Sequence, residues 1–169
     1  FDDDMAAAKR LSAKLGVKIH NNITDIVLYD RVVVSPRAFF SERFRALRGS
    51  YEVISEIDFA YMNSCCKIAA VTGSNGKTTV TKMVREILTC AGVRAVAVGN
   101  IGVPFSAECR KLGENDVAVT ELSSYQLAAS RIFHAEAGAL LNITPDHLDV
   151  HRSFEDYMTQ KKKVFRLEV

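Results

Sequence analysis

A glycine-rich segment with one lysine has the residue types and spacing best suited to chemistry in this sequence. It covers residues 71–79 and reads Val-Thr-Gly-Ser-Asn-Gly-Lys-Thr-Thr, between a predicted strand and a predicted helix. In a phosphate-binding loop, backbone N–H groups and the positive end of the helix dipole face phosphate oxygens. Lys77 would then place its charge at the β and γ phosphates of a nucleotide, and the Thr78 hydroxyl would be a ligand of Mg²⁺.

The segment departs from the usual phosphate-binding pattern at one position. The pattern G-x-x-x-x-G-K-[ST] requires a glycine five residues before Gly76, where this sequence has Val71. The structural alternative is a glycine-rich turn that binds nothing. The coincidence of strand, Gly-Lys-Thr and helix favours a variant phosphate-binding loop. Its candidate nucleotide-binding residues are Gly73, Ser74, Asn75, Gly76, Lys77, Thr78 and Thr79.

Polar side chains follow two further predicted strands, at the end of a parallel sheet where ligands bind. Glu121 ends a buried strand. Its carboxylate could hold Mg²⁺ or could belong to a solvated turn. The segment 142–151 contains two carboxylates and two imidazoles. We expect His147 to contact a metal or a phosphate, whereas a polar loop with a helix cap would account for Asp149 and His151.

One lysine of the run Lys161-Lys162-Lys163 is set apart by its spacing. Tyr157, Lys161 and Phe165 recur every fourth residue and share one helix face, while the other two lysines are rotated away by about 100° and 200°. A lysine on a buried face can have a lowered pKa and a reactive neutral amine. Charge runs are otherwise solvated helix faces, and the residues alone leave both interpretations open.

Apolar runs that alternate with amphipathic stretches predict the α/β fold class, built from βαβ units around a mostly parallel sheet with flanking helices. Helices are predicted at 4–15, 39–47, from 55, at 78–91, 105–112, 124–130 and from 153. Strands are predicted at 26–28, 31–34, 51–54, 67–71, 93–98, 116–122 and 138–142. The polar break Asn63-Ser64 is the candidate domain boundary.

The composition excludes several classes of protein. The 169 residues, 48% hydrophobic and 25% charged, are typical of about one globular domain and exclude disorder, collagen and coiled coil. A net charge of +2 gives no reason to expect nucleic acid. Four cysteines without metal-ligand spacing favour a cytoplasmic location. No apolar run approaches the roughly 18 residues that cross a bilayer, so no membrane insertion is expected.

Five motifs occur in the order and spacing of the Mur ligases, and the chain resembles that family. They are residues 73–79, 99–104, 121–127, 142–149 and the pattern Tyr157-x-x-x-Lys161-x-x-Val164-Phe165. Within the family, Leu-Ser-Ser-Tyr-Gln-Leu at 122–127 makes the chain most similar to the members that add D-glutamate to UDP-N-acetylmuramoyl-L-alanine in peptidoglycan synthesis.

The resemblance implies an ATP-dependent ligase. The γ-phosphate of ATP would pass to the substrate carboxylate, and the amine of D-glutamate would attack the resulting acyl phosphate. By position, Lys77 and the loop amides would hold ATP, and Thr78 and Glu121 would hold one Mg²⁺. His147 would help to hold a second Mg²⁺, supported by Lys161 as a carbamate formed with CO₂. Two metals and a lysine would offset the charges of the phosphates and the carboxylate that must meet.

The resemblance also implies the surroundings of this site. Asn100 and Ser123 match positions near the nucleotide-sugar substrate. Residues 1–62 would be part of a Rossmann-like amino-terminal domain that binds the UDP substrate, and 63–169 part of the central ATP-binding domain. The carboxy-terminal domain has no counterpart, so we expect a fragment that is inactive alone; the oligomeric state stays unknown, with a monomer expected.

One departure from the family and three alternatives remain. Arg37 replaces the glycine of a Ser-Pro-Gly loop, and its side chain could crowd the uridine diphosphate beside Ser35 and Pro36. Another Mur ligase or a folylpolyglutamate-synthase-like enzyme would share the phosphate loop and the reactive lysine. A nucleotide-binding module without ligase activity is the alternative from another class. A P-loop kinase or GTPase is disfavoured, because no guanine-reading Asn-Lys-x-Asp is present.

Overall fold

Two parallel sheets with flanking helices make up the computed structural model, which describes residues 5–18, 20, 29–45, 50–147 and 150–165. The strands are β1 (Arg31–Val34), β2 (Glu52–Ser55), β3 (Lys67–Thr72), β4 (Ala95–Gly99), β5 (Val117–Glu121) and β6 (Ala137–Leu140). The helices are α1 (Met5–Leu15), α2 (Glu42–Arg45), α3 (Glu56–Met62), α4 (Lys77–Cys90), α5 (Phe105–Glu108), α6 (Ser124–Ala129) and α7 (Phe154–Lys162). Short 3-10 turns cover Ala38–Phe40 and Lys163–Phe165.

The larger sheet has the strand order β4-β5-β3-β6, and all of its pairs are parallel. Parallel strands place their carboxyl ends at one edge, so the loops after β3, β4, β5 and β6 meet there. The smaller sheet pairs β1 with β2, also in parallel. This arrangement confirms the predicted α/β class. None of the helices in the described part of the chain combines the length and the apolar character that crossing a bilayer requires.

Two apolar clusters hold the sheets to their helices. The larger one joins the sheet residues Ile68 and Val98 to helix residues such as Ile57, Phe105 and Leu127. The smaller cluster packs Val34, Phe39 and Val53 of the small-sheet region against Ala129 of α6. The small sheet therefore sits against α6, the helix that follows the central strand β5.

Two predicted helices differ from expectation within the described residues. The predicted helix 39–47 is interrupted into a 3-10 turn and then α2, because Ser41 between them is extended and donates its hydroxyl to the Ala38 carbonyl; its residues 46 and 47 lie outside the described residues. The predicted helix 105–112 ends at Glu108, and a bond from Lys111 N to the Glu108 carbonyl tightens the chain into a turn. The predicted strand 26–28 lies outside the described residues.

The buried face of α7 includes Tyr157 and Lys161, as the spacing predicted, but not Phe165. Tyr157 and Lys161 are 0% and 2% exposed, whereas Phe165 is 51% exposed. The α-helix ends at Lys162, and the 3-10 turn that follows has about three residues per turn. That change of period turns Val164 inward in place of Phe165.

Asp58 ties α3 to the loop after α6. Its side chain is 2% exposed, and a buried carboxylate needs donors to offset its lost hydration. It accepts hydrogen bonds from Ser130 Oγ (2.8 Å), Arg131 N (2.9 Å), Ile132 N (3.3 Å) and Phe133 N (3.1 Å). Because α3 also packs into the larger cluster, the helix just before the break at 63–64 shares the core of the residues after it. The division at 62 and 63 stays a prediction.

We expect Asp58→Ala to lower the free energy of unfolding by about 3 kcal/mol, because it leaves buried N–H donors without an acceptor. Asp58→Asn retains one acceptor oxygen and should lose less. Glu114→Ala removes an exposed carboxylate and should stay within about 0.5 kcal/mol of the parent chain. Urea denaturation measures all three, and equal losses in Asp58→Ala and Glu114→Ala would contradict the role of Asp58.

Candidate active site

The glycine-rich segment forms a loop between β3 and α4, in the strand-loop-helix context that was predicted. Gly76 precedes the helix with a φ of 80°, a left-handed conformation that glycine adopts without a steric penalty. Lys77 Nζ bends back over the loop and donates to the carbonyls of Gly73 (2.9 Å) and Ser74 (2.8 Å). The lysine charge is thus held directly above the loop.

The segment after β6 braces this loop from the side. Asn75 N donates to Asn142 Oδ1 (2.9 Å), and Asn142 Nδ2 donates back to the Asn75 carbonyl (3.0 Å). Ser74 N donates to the Asn142 carbonyl (3.0 Å). Sequence reasoning placed Asn142 in a motif but gave it no role, since its partner lies 67 positions away.

One hydroxyl joins the loop to two other elements. Ser74 Oγ accepts from Thr144 N (2.9 Å), donates to the Thr144 carbonyl (3.1 Å) and lies 3.0 Å from Tyr157 Oη. Burial raises the pKa of the Tyr157 hydroxyl, against a smaller opposing effect of the Ser74 bond. The phenol therefore stays neutral and can donate to Ser74 at ordinary pH.

Glu121 ends β5 as a buried carboxylate between two polar partners. It is 2% exposed, so the alternative of a solvated turn residue is wrong. Thr78 Oγ1 donates to Glu121 Oε2 (2.7 Å), and Asn100 Nδ2 donates to Glu121 Oε1 (2.9 Å). Asn100 reaches this place because Gly99 passes directly beside the Glu121 backbone, where an added Cβ would overlap the Glu121 carbonyl oxygen. Three predicted site residues are thus in contact.

Lys161 is buried beneath the same loop. Its Nζ donates to the Gly73 carbonyl (2.7 Å), which Lys77 Nζ also contacts, and lies 4.9 Å from the centre of the Tyr157 ring. Burial, and then the charge of Lys77, lower the pKa of Lys161 from 10.5 to about 8. A solvated face is therefore wrong for Lys161, although it holds for its exposed neighbour Lys162.

The two histidines of the segment after β6 differ in environment. His147 has a φ of 53° and is half exposed, with Nε2 3.5 Å from Asp146 Oδ2 and its ring centre 5.1 Å from that of Tyr125. His151 is buried, and its Nε2 lies 3.0 Å from Ser124 Oγ.

The prediction that a polar loop with a helix cap accounts for His151 is wrong. Ser153 caps α7, accepting from Asp156 N (3.1 Å), and His151 packs instead beside the rings of Tyr125 and Tyr157. Asp149, which was given the same interpretation, lies outside the described residues.

Helix α6 begins with a reciprocal cap at Ser123, another predicted site residue. Gln126 N donates to Ser123 Oγ (3.2 Å). In return, Gln126 Oε1 accepts from Ser123 N (2.9 Å) and from Ser123 Oγ (3.0 Å). A capping box of this kind satisfies N–H groups that a helix start leaves unpaired. The hydroxyl of Ser123 is thus part of the helix start.

These elements enclose one cavity of about 510 Å³. Predicted site residues on its wall are Lys77, Asn100, Ser123, His147 and Lys161. Ser124, Tyr125 and Asp146 also line it, and sequence reasoning quoted them in motifs without assigning them a role. Ser35, Pro36 and Arg37 close the side nearest the small sheet.

Metal binding at this cavity would need ligands beyond the usual side chains. Within the described ranges, no group of three or more His, Cys, Asp and Glu side chains is arranged to hold a metal ion. Thr78 and Glu121 do bring two hard oxygens to 2.7 Å of each other, and Mg²⁺ prefers oxygen ligands completed by phosphate and water. These residues fit a magnesium ion that arrives with a phosphate.

Known proteins resemble this chain along most of its length. A UDP-N-acetylmuramoylalanine--D-glutamate ligase of Alkaliphilus metalliredigens is 42% identical over 147 residues, which cover 85% of this chain and 32% of that protein. One from Streptococcus pneumoniae is 36% identical over 167 residues, covering 95% and 37%. The chain therefore spans about a third of the length of the curated relatives it matches.

Solved structures and a family match agree on the fold. The crystal structure of UDP-N-acetylmuramate:L-alanyl-gamma-D-glutamyl-meso-diaminopimelate ligase from Neisseria meningitides superposes with a TM-score of 0.62 at 18% identity, covering 98% of this chain and 57% of that one. Residues 71–168, from the glycine-rich loop to the end of α7 and beyond, match the Mur ligase middle domain. With more than half of its residues in that match, the chain belongs to the Mur ligase family.

Proposed function

We propose that this chain supplies the ATP-binding part of a ligase that joins D-glutamate to UDP-N-acetylmuramoyl-L-alanine. The observation that carries the proposal is the meeting of Lys77 and Lys161 at one loop and one cavity. The Thr78–Glu121 pair is joined to the wall of that cavity by Asn100. The names of the curated relatives support D-glutamate as the added amino acid over the alternatives within the class.

The reaction would proceed in two displacements. An oxygen of the substrate carboxylate attacks the γ-phosphorus of ATP, the bond to the bridging oxygen breaks, and ADP leaves. The amine of D-glutamate then attacks the acyl carbon, phosphate leaves with its bonding electrons, and the amine loses a proton. Lys77, held over the loop, would place positive charge where negative charge gathers on the phosphates in the first step.

Magnesium would be held by residues that already lie together. Thr78 and Glu121 would hold one ion, while Asn100 keeps the Glu121 carboxylate oriented through its hydrogen bond. When bound, the ion supplies positive charge to the phosphates as a Lewis acid. His147 and Lys161, both on the cavity wall, would help to hold a second ion.

A carbamate on Lys161 fits the environment of that residue. The ammonium loses one proton to give the neutral amine, which attacks CO₂ and loses a second proton, so a cation becomes an anion. With a pKa of about 8, half of the Lys161 amines are neutral at pH 8, against less than about 1% for an ordinary lysine. The change also removes the repulsion between the two ammonium groups at the Gly73 carbonyl.

The remaining assignments complete the proposal. Asn100 and Ser123 would contact the nucleotide-sugar, and residues 1–62 and 63–169 would be parts of the UDP-substrate domain and of the central ATP domain. A module that binds nucleotide without ligase activity remains the competing proposal. Arg37 is the residue that favours it, since a side chain replaces glycine in the cavity wall.

The ligase proposal is tested on the full-length protein with ATP, UDP-N-acetylmuramoyl-L-alanine and radiolabelled D-glutamate. We expect labelled product and ADP in equal amounts. Lys77→Ala should lower kcat at least about a hundredfold, since it removes charge stabilisation at the phosphates. Lys82→Ala, an exposed lysine on the same helix, should match the parent. Product formed with another amino acid or with a folate acceptor would contradict this proposal and assign a different ligase activity. Mg·ATP binding without any product would favour the non-catalytic module.

Asn142→Ala should weaken Mg·ATP binding up to about thirtyfold, because two hydrogen bonds that fix the loop are lost at about 1 kcal/mol each. Calorimetric titration of the full-length protein gives the dissociation constant. Hydrogen exchange of the Asn75 amide should also quicken. Asn115→Ala, in an exposed loop, is the matched control and should change neither. Unchanged exchange at Asn75 in Asn142→Ala would contradict the bracing role.

Lys161 should form a carbamate that increases with pH. At a fixed concentration of dissolved ¹³CO₂, the carbamate carbon signal in NMR should rise several-fold from pH 7 to pH 9, because the neutral amine is the reactive form and its pKa is about 8. Lys161→Met should abolish the signal and Lys162→Met should retain it. A signal that survives in Lys161→Met would assign the carbamate to another amine and remove this part of the proposal.

A further inference from the structure

Arg37 presents an unpaired guanidinium to the cavity. It stands at the start of the 3-10 turn after β1, is exposed, and lines the cavity wall. Within the described ranges, no hydrogen bond or ion pair reaches its side chain, although Arg31 and Arg94 both have carboxylate partners.

The turn that carries Arg37 is fixed without the help of its side chain. Phe39 N donates to the Ser35 carbonyl (3.0 Å), and Phe40 N donates to the Arg37 carbonyl (3.2 Å). Phe39 is buried in the smaller apolar cluster, and the Phe40 ring lies 6.4 Å from the Tyr125 ring on the cavity wall. The turn therefore does not need the Arg37 guanidinium, which is available to bind a ligand.

The cavity already carries more positive than negative charge. Lys77, Lys161 and Arg37 line it, and Asp146 is the acidic side chain among its described lining residues. Asp146 already accepts from His147 N at 2.8 Å, and within the described ranges the hydrogen bonds of both lysines go to uncharged oxygens. Lys77 and Arg37 repel each other until an anion enters, and the ammonium of Lys161 adds to this repulsion as long as it is not converted to the carbamate.

We propose that Arg37 binds an oxyanion of a reactant, either a phosphate or a carboxylate, inside this cavity. The planar guanidinium matches the two oxygens of such a group with two parallel hydrogen bonds, which a lysine cannot reproduce. This inference rests on the proposed function and reverses the expectation that the side chain only crowds the substrate. The oxyanion comes from the UDP acceptor or from the γ-phosphate of ATP.

Steady-state kinetics of the full-length protein separate these sources. Arg37→Gln should raise KM by about tenfold or more for the reactant that supplies the oxyanion, and Arg37→Lys should recover part of the loss. A rise for UDP-N-acetylmuramoyl-L-alanine assigns the acceptor, and a rise for ATP assigns the γ-phosphate. Arg45→Gln removes an equal charge from exposed α2, outside the cavity, and should stay within twofold.

The sign of the effect in Arg37→Gly decides between binding and crowding. If Arg37 binds the oxyanion, Arg37→Gly should have a higher KM than the parent protein, and this difference in KM should narrow as salt screens the charge. Both KM values unchanged, or either one lowered with the other unchanged, would overturn the proposal.

A direct titration keeps this test independent of ligase activity. Inorganic pyrophosphate, followed by calorimetry at low salt, should bind the parent protein several-fold more tightly than Arg37→Gln. Equal affinities, or no binding by the parent, would overturn the role of Arg37 even if the ligase assay succeeds. A difference in affinity would support it even if D-glutamate is not the amino acid used.

Discussion

The carbonyl oxygen of Gly73 is the point on which the site depends. Two ammonium groups, from Lys77 four residues ahead and from Lys161 on α7, donate to this one acceptor at 2.9 Å and 2.7 Å. A single carbonyl cannot neutralise two cations, so part of the positive charge of the two ammonium groups remains uncompensated. Burial is the main cause of the lowered pKa of Lys161, and this convergence with Lys77 lowers it further. The two lysines, together with Arg37, also give the cavity its surplus positive charge.

A parallel sheet makes that convergence possible. Because β3, β5 and β6 run in one direction, their carboxyl ends bring the glycine-rich loop, Glu121 and the segment with Asn142 to the same edge. Hydrogen bonds from Ser74 and Asn75 then join two of these loops, and Tyr157 adds α7 through its hydroxyl. The contact between Ser74 and Tyr157 thus helps to place Lys161, one turn further along α7, under the glycine-rich loop.

The sequence predicted what is local or periodic. The loop at 73–79 was recognisable because its glycines, lysine and threonine are contiguous. The spacing also placed Lys161 on one helix face with Tyr157, but it left open whether that face is buried. Phe165 was predicted on the same face but is exposed, because the chain changes from α to 3-10 geometry at Lys163. No pattern of side chains marks that change. Contacts such as Asn75 with Asn142 were out of reach, since their partners are joined only by the order of the strands in the sheet.

The reciprocal cap of α6 limits what evolution can do at Ser123. Its hydroxyl accepts from the backbone of Gln126 and donates to the Gln126 side chain, so it is already committed in both directions. A residue that also contacted a substrate there would have to meet two requirements at once, capping the helix and binding the substrate. Tolerated replacements would then be confined to the few small polar side chains that can begin a helix. Ser123 would therefore be substituted more slowly during evolution than substrate binding alone would require.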